Sequence, residues 1–198
     1  MKPSPSDLPH RTANDLLREA LITPENLVDL HLSEWDRLVP EARSAGLLAR
    51  LDVLLRERGI YDTLPAAVKP HLIAFRRIAE SEQCAMRWEL NRIERALADV
   101  GTPIVLLKGA AYLMRQIPNA RGRISSDVDI LVAKEQLNAV EDRLLKHGWR
   151  HIKLEEYDQY FYRKWSHELP PLQHRDRGTV VDVHHTILPP TGRLRPDA

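Results

Sequence analysis

The hydrophobic and polar positions divide the chain into two parts of different character. Up to Gly101, apolar residues recur at helical spacing and charged residues fill the positions between them, which is typical of amphipathic helices. The spacing and the flanking cap residues predict four helices, at residues 12–21, 24–32, 40–58 and 70–100. This helical N-terminal region, residues 1–100, contains no motif that indicates chemistry.

Beyond Thr102, short and continuous apolar segments alternate with helical ones. The runs PIVLL (103–107) and DVDILV (127–132) predict buried strands, and residues 110–116 and 134–147 predict helices. Residues 157–165 and 179–185 are rich in aromatic or β-branched residues and predict further strands. We therefore expect an α+β protein in which a helical N-terminal region precedes a mixed β-sheet with helices packed on it.

The composition excludes several classes of protein. The 198 residues carry 29 Lys and Arg against 28 Asp and Glu, which argues against bulk binding of nucleic acid or anionic membrane. Cys84 is the single cysteine, so an internal disulfide and a multi-cysteine zinc site are excluded. The sequence has no signal-peptide-like start and no long apolar run. We expect a cytoplasmic protein with no membrane partner.

Two acids within one predicted strand are the first candidates for chemistry. Asp127 and Asp129 are two positions apart, so a regular strand places both carboxylates on one face and Val128 and Ile130 on the other. Adjacent carboxylates repel each other unless a positive charge lies between them. A hard divalent ion such as Mg²⁺ suits such oxygen ligands, and two exposed acids on a solvated strand edge are the alternative.

Asp182 strengthens the case for a metal. In the run VVDVHH, Val181 and Val183 face one side of a strand, and Asp182 and His184 face the other. An Asp among valines is costly to bury unless it is paired or binds a metal. Two adjacent acids and a third on a separate strand are typical of two-metal phosphoryl transfer, whereas a salt bridge to an arginine is the structural alternative.

A basic stretch precedes the acidic pair. Between Asp99 and Asp127 the chain has no acid and four cations, which are Lys108, Arg115, Arg121 and Arg123. This distribution suits a polyanionic substrate held by a metal. The Lys108-Gly109 turn, at a predicted strand-to-helix junction, favours phosphate binding weakly, because a tight βα turn has the same pattern.

Residues 106–132 resemble the DNA-polymerase-β-like nucleotidyltransferase superfamily, in particular its branch of uncharacterised bacterial nucleotidyltransferases. That branch combines a Lys-Gly turn, an R-x-x-x-D-x-D element and a later strand of the form hydrophobic-Asp-hydrophobic-His. Here these are Lys108-Gly109, Arg123 with Asp127 and Asp129, and residues 181–184. His167 also resembles a histidine that commonly precedes the last strand, and the match extends over about residues 100–187.

The resemblance implies a catalytic core at residues 101–188 that transfers a nucleoside monophosphate from an NTP, such as ATP, to an acceptor hydroxyl and releases pyrophosphate. Asp127 and Asp129 would bind two Mg²⁺ ions, with Mn²⁺ as an alternative metal. Asp182 would bind one of these ions and help to activate the acceptor, which is a protein, an RNA or a small molecule of unknown identity.

The resemblance implies further roles outside this triad. Lys108, Gly109 and Arg123 would bind the nucleotide phosphates, and His167 and His184 would orient Asp182 or contact the acceptor. Residues 189–198 form a Pro-rich tail where the superfamily usually continues into helices, so we expect a truncated C-terminal region there.

Two other functions compete with nucleotidyl transfer. The first is a catalytically degenerate nucleotidyltransferase fold that serves as a binding or regulatory module. The second is a hydrolase that uses His167, His184, His185 and Asp182 on a transition metal. A regular strand directs His184 and His185 to opposite faces, so the hydrolase requires a bulge.

Overall fold

The computed structural model describes residues 11–152, 155–166 and 168–188, in which the chain forms two compact units. The first unit comprises the chain up to Ser81 together with Arg121–Ile124, and the second comprises Glu82–Ala120 and the chain from Ser125 onward. The predicted division into residues 1–100, 101–188 and 189–198 stays a prediction, and residues 189–198 lie outside the described residues.

The first unit is helical, as predicted. Its helices are α1 (Ala13–Ile22), α2 (Leu32–Ser44), α3 (Leu48–Glu57) and the first part of α4 (Lys69–Leu97). Thr12 begins α1 with a capping box, in which its hydroxyl accepts a hydrogen bond from the Asp15 amide and the Asp15 carboxylate accepts one from the Thr12 amide. The apolar faces of these helices form one core, to which Trp35, Leu38, Leu51 and Leu72 contribute.

Two of the predicted helices in this unit have different bounds. The predicted helix 40–58 is wrong, because Pro40 lies inside α2 and the helical conformation is interrupted at Gly46, where φ is +68°. Trp35 and Leu38, which precede Pro40, are buried in the core. Their burial favours a helix that begins at Leu32 over one that begins at Pro40. Residues Pro24–Asp29 form a short 3₁₀ helix instead of a helix that extends to residue 32.

The second unit contains a five-stranded mixed sheet, and the α+β prediction is confirmed. The strands are β1 (Val105–Leu106), β2 (Asp127–Leu131), β3 (Trp149–His151), β4 (Leu172–His174) and β5 (Val180–His184). Their order in the sheet is β1-β2-β5-β4-β3, and the central pair β2 and β5 is parallel while the other pairs are antiparallel.

Helices and apolar side chains cover one face of this sheet. The elements involved are the remainder of α4, α5 (Lys108–Met114) and α6 (Leu137–Lys146). Their side chains pack with Val128 and Ile130 of β2 and with Val181 and Val183 of β5 in a continuous core. Alternation along a strand therefore directs Asp127, Asp129, Asp182 and His184 away from this core.

The segment 157–165 is a helix, so the predicted strand is wrong. It forms α7 (Glu156–Trp165), whose exposed aromatic residues Tyr157, Tyr160, Phe161 and Trp165 recur at helical spacing. Aromatic residues have high β propensity, but a spacing of three and four positions gathers them on one side of a helix.

Among the described residues, no helix is both long and apolar enough to cross a lipid bilayer.

We predict that Gly122→Ala destabilises the first unit strongly. Gly122 has a φ of +70°, and a Cβ atom there would lie 2.6 Å from the backbone oxygen of Ala49. The left-handed backbone costs about 1 kcal/mol for alanine, and the steric overlap is expected to add about 2 kcal/mol. The control is Gly46→Ala, which has a φ of +68° and open space around the new Cβ. Equal losses of unfolding free energy in denaturant titrations of the two variants would contradict the close approach.

Candidate active site

The pairing of β2 with β5 brings the three predicted acids together. In the parallel register Asp129 lies directly opposite Asp182, and Asp127 lies opposite Val180 at the start of both strands. Each of Asp127, Asp129 and Asp182 offers a carboxylate oxygen, and these oxygens all lie within 4.8 Å of one another. The predicted face assignments of these residues are confirmed, because their neighbours Val128, Ile130, Val181 and Val183 are all in the core.

The environment of this triad fits a divalent cation. The Oδ1 atom of Asp182 is buried and accepts no hydrogen bond from the described residues. A buried carboxylate oxygen without a donor is costly, and a cation between the three carboxylates removes this cost. The ligand set consists of carboxylate oxygens alone, which suits hard ions such as Mg²⁺.

Lys108 contacts the triad from the turn that begins α5. The amide of Leu107 donates to the carbonyl oxygen of Asp129 at 3.0 Å, which fixes this turn beside β2. Lys108 then adopts the left-handed region with a φ of +43°, a conformation that costs a non-glycine residue energy. Its Nζ donates to Asp129 Oδ1 at 2.6 Å, although 60% of the side chain remains exposed. The hydrogen bond to Asp129 raises the pKa of Lys108 above its ordinary value and keeps the ammonium charged.

His184 contacts the triad from the end of β5. Its imidazole is only 3% exposed, and Nε2 lies 3.0 Å from Asp129 Oδ1 while Nδ1 lies 3.3 Å from Glu168 Oε2. The segment that carries Glu168 pairs with β5 through an isolated bridge, and the Leu169 amide donates to the carbonyl oxygen of Val183 at 2.8 Å. No strand pattern or motif in the sequence indicates Glu168, because it lies outside the named strands and pairs with a residue sixteen positions further along the chain.

The two opposing acids have pKa values that are shifted in opposite directions. Burial alone would raise the pKa of Asp129, but hydrogen bonds from His184 and Lys108 outweigh burial and hold the pKa below its ordinary value. Burial, and after it the nearby charges of Glu168, Asp129 and Asp127, together raise the pKa of Asp182 to about 6. Asp129 is therefore ionised over the ordinary pH range, whereas Asp182 binds a proton more readily.

The structure places the remaining predicted residues as follows. Gly109 is buried in the first turn of α5, so the solvent-exposed side chain of this turn is that of Lys108. Arg123 belongs to the first compact unit, and its nucleotide-binding role stays a prediction. His167 lies outside the described residues. Within the described ranges, the only group of three acids, histidines or cysteines able to converge on one ion is the aspartate triad, and His185 is not part of it.

Comparison with known families identifies the chain. The sequence model of a family described as "Uncharacterised nucleotidyltransferase" matches residues 31–198. The chain belongs to this family of nucleotidyltransferases. The match extends over most of both compact units, including the turn that carries Lys108 and both acid-bearing strands. The family supports general nucleotidyl transfer from an NTP, and nucleotidyltransferases generally use divalent metals, for which the three carboxylates are suitable ligands. A comparison with curated proteins finds no match.

We predict that the raised pKa of Asp182 makes the stability of the metal-free nucleotidyltransferase depend on pH. The folded-state pKa of about 6 exceeds the ordinary value of an unfolded chain, so the folded protein binds the proton more tightly. The contribution of Asp182 to stability is therefore present below pH 4 and is lost as the pH rises through 6.

The side chain of Asp182→Asn has no titratable group. As the pH rises from 4 through 6, the variant should therefore become more stable relative to the unsubstituted protein. The gain between pH 4.5 and pH 8 is expected to be on the order of 2 kcal/mol. Urea titrations of both proteins in EDTA at several pH values measure it. If the difference in unfolding free energy between the two proteins were the same at every pH, the raised pKa of Asp182 would be contradicted.

Proposed function

We propose that this chain is a metal-dependent nucleotidyltransferase that transfers a nucleoside monophosphate from an NTP to an acceptor hydroxyl. The acceptor oxygen forms a bond to the α-phosphorus, the bond between the α-phosphorus and the oxygen bridging to the β-phosphorus breaks, and pyrophosphate leaves. The observation that carries this proposal is the pair of opposed carboxylates, Asp129 and Asp182, with Asp127 beside them and a buried Asp182 oxygen that lacks a donor among the described residues.

Asp127, Asp129 and Asp182 are the residues proposed to hold two divalent ions, which we expect to be Mg²⁺ or Mn²⁺. When bound, such ions neutralise the charge that develops on the attacking, leaving and non-bridging oxygens. The chain itself supplies the position of these carboxylates, because both strands belong to one sheet whose other face is covered by the core. Positioning and charge stabilisation are the main contributions that phosphoryl transfer requires of a protein.

Asp182 is the proposed acceptor of the proton from the attacking hydroxyl. Its buried Oδ1 atom accepts no hydrogen bond from the described residues, so this carboxylate has a lone pair that is not committed to a donor of the protein. Asp129 is less suited to this role, because Lys108 and His184 both donate to its Oδ1 atom and lower its pKa.

Lys108 is the proposed contact for the β- and γ-phosphates. Its ammonium is charged, mostly exposed and 2.6 Å from a proposed metal ligand, so it is placed to contact the triphosphate of an NTP that shares a metal ion with these carboxylates. The backbone at Gly109 is proposed to assist it. An NTP substrate such as ATP favours a cytoplasmic location, and the acceptor stays unidentified.

The direct test of this proposal is the Asp127→Asn/Asp129→Asn double variant. The unsubstituted protein should show NTP-dependent thermal stabilisation that requires Mg²⁺ or Mn²⁺, and should transfer a labelled α-phosphate to an acceptor in material that co-purifies with it. The double variant should lose both effects, because two of the three metal ligands have become neutral amides.

Asp142→Asn/Asp176→Asn is the matched control. It removes two exposed acids from the same compact unit with the same change in net charge. If the unsubstituted protein responds to none of the four NTPs, or if the active-site variant keeps the full response, nucleotidyl transfer at this site is contradicted. A stable protein complex that survives loss of all three aspartates would then favour the binding or regulatory module.

We predict that Lys108→Met separates nucleotide binding from metal binding. NTP affinity in the presence of Mn²⁺ should fall about tenfold or more, which corresponds to about 1.4 kcal/mol. Affinity for Mn²⁺ alone should stay the same or rise, since a cation next to the metal ligands has been removed. Isothermal titration with each ligand measures both affinities. Loss of Mn²⁺ affinity together with NTP affinity would contradict a phosphate-binding role and indicate that Lys108 shapes the carboxylate site itself.

A further inference from the structure

Asp129 is proposed to hold the metal, and a residue outside every predicted motif lies next to it in a row of contacts through His184. The Asp129 side chain is 3% exposed, and its Oδ1 atom accepts from the His184 imidazole at 3.0 Å. The other ring nitrogen of His184 faces Glu168 Oε2 at 3.3 Å. The three side chains therefore form a row in which an imidazole lies between two carboxylates.

The imidazole in this row is held at both ends. His184 is 3% exposed and Glu168 is 21% exposed, so water has little access to compete for the ring nitrogens. The backbone fixes the same neighbours, because Glu168 bridges to His184 and the Leu169 amide donates to the Val183 carbonyl. A ring with a carboxylate at each nitrogen cannot rotate about its χ2 angle without losing both contacts.

We propose that Glu168 is a positioning residue, which acts through His184 to fix the Asp129 carboxylate beside Asp182. This inference rests on the proposed function, because Asp129 matters here as a metal ligand. The relevant property of Glu168 is its ability to accept a hydrogen bond from Nδ1 of His184. Some residues do not bind the metal but orient its ligands. Their removal typically lowers metal affinity or activity by 10- to 100-fold.

A comparison of Glu168→Gln with Glu168→Ala tests this role in the full chain. The Gln amide oxygen keeps an acceptor for Nδ1 but removes the negative charge, whereas Ala removes both. We expect Glu168→Ala to weaken binding of Mn²⁺, titrated without nucleotide, by about tenfold or more. Glu168→Gln should stay within about threefold of the unsubstituted protein. The proposal would be overturned if Glu168→Ala bound Mn²⁺ as tightly as the unsubstituted protein. It would also be overturned if Glu168→Gln and Glu168→Ala lost the same amount of Mn²⁺ affinity.

A second measurement needs no metal and separates the failure of this inference from the failure of the proposed function. Nitrogen-15 NMR should detect an exchange-protected Nδ1 proton on His184 in the metal-free protein and in Glu168→Gln, but not in Glu168→Ala. Retention of that proton in the Ala variant would overturn the positioning role even if the protein bound no Mn²⁺. Absence of Mn²⁺ binding with the expected NMR pattern would instead contradict the proposed metal site.

The chain offers a matched control for both measurements. Glu141 and His151 form another carboxylate–histidine pair in the same compact unit, with 2.8 Å between Glu141 Oε1 and His151 Nε2. His151 belongs to β3, which is separated from β5 by β4. Glu141→Ala should therefore leave Mn²⁺ affinity and the His184 proton unchanged, and circular dichroism of all variants verifies that they are folded.

Discussion

The candidate site depends on core packing that holds three mutually repelling carboxylates together. The parallel pairing of β2 and β5 places these carboxylates side by side. The valines on the opposite face of these strands are fully buried in the core of the second unit. A shift of register by one residue would turn those valines toward solvent and the acids into the core, so core packing holds the acids in place. The favourable burial of apolar side chains thus maintains an arrangement that is electrostatically unfavourable by itself.

The surroundings of the triad relieve this repulsion unevenly. Lys108 and His184 both donate to Asp129, so that carboxylate stays charged, while the buried oxygen of Asp182 has no donor among the described residues. The left-handed backbone of Lys108 is a local cost that brings its ammonium to this position. The protein therefore supplies the Lys108 ammonium next to Asp129, and a bound cation would supply the positive charge next to Asp182.

Much of the site could be predicted from sequence, because strand alternation is a local property. The positions of Asp127, Asp129 and Asp182 relative to neighbouring valines and isoleucine were sufficient to assign their faces. The role of Glu168 could not be predicted, since it depends on a tertiary contact between a loop segment and the end of β5. Aromatic propensity predicts a strand for segment 157–165, but its aromatic positions match a helical period and the segment is a helix.

Anomalous diffraction from crystals grown with Mn²⁺ and a non-hydrolysable NTP analogue tests the central claim most directly. The account predicts anomalous density between the carboxylates of Asp127, Asp129 and Asp182, at the short oxygen–metal distances of about 2 Å typical of small hard cations. It also predicts that the triphosphate of the analogue shares this metal. A bound analogue whose metal lies elsewhere, with the three carboxylates free of anomalous density, would contradict the account.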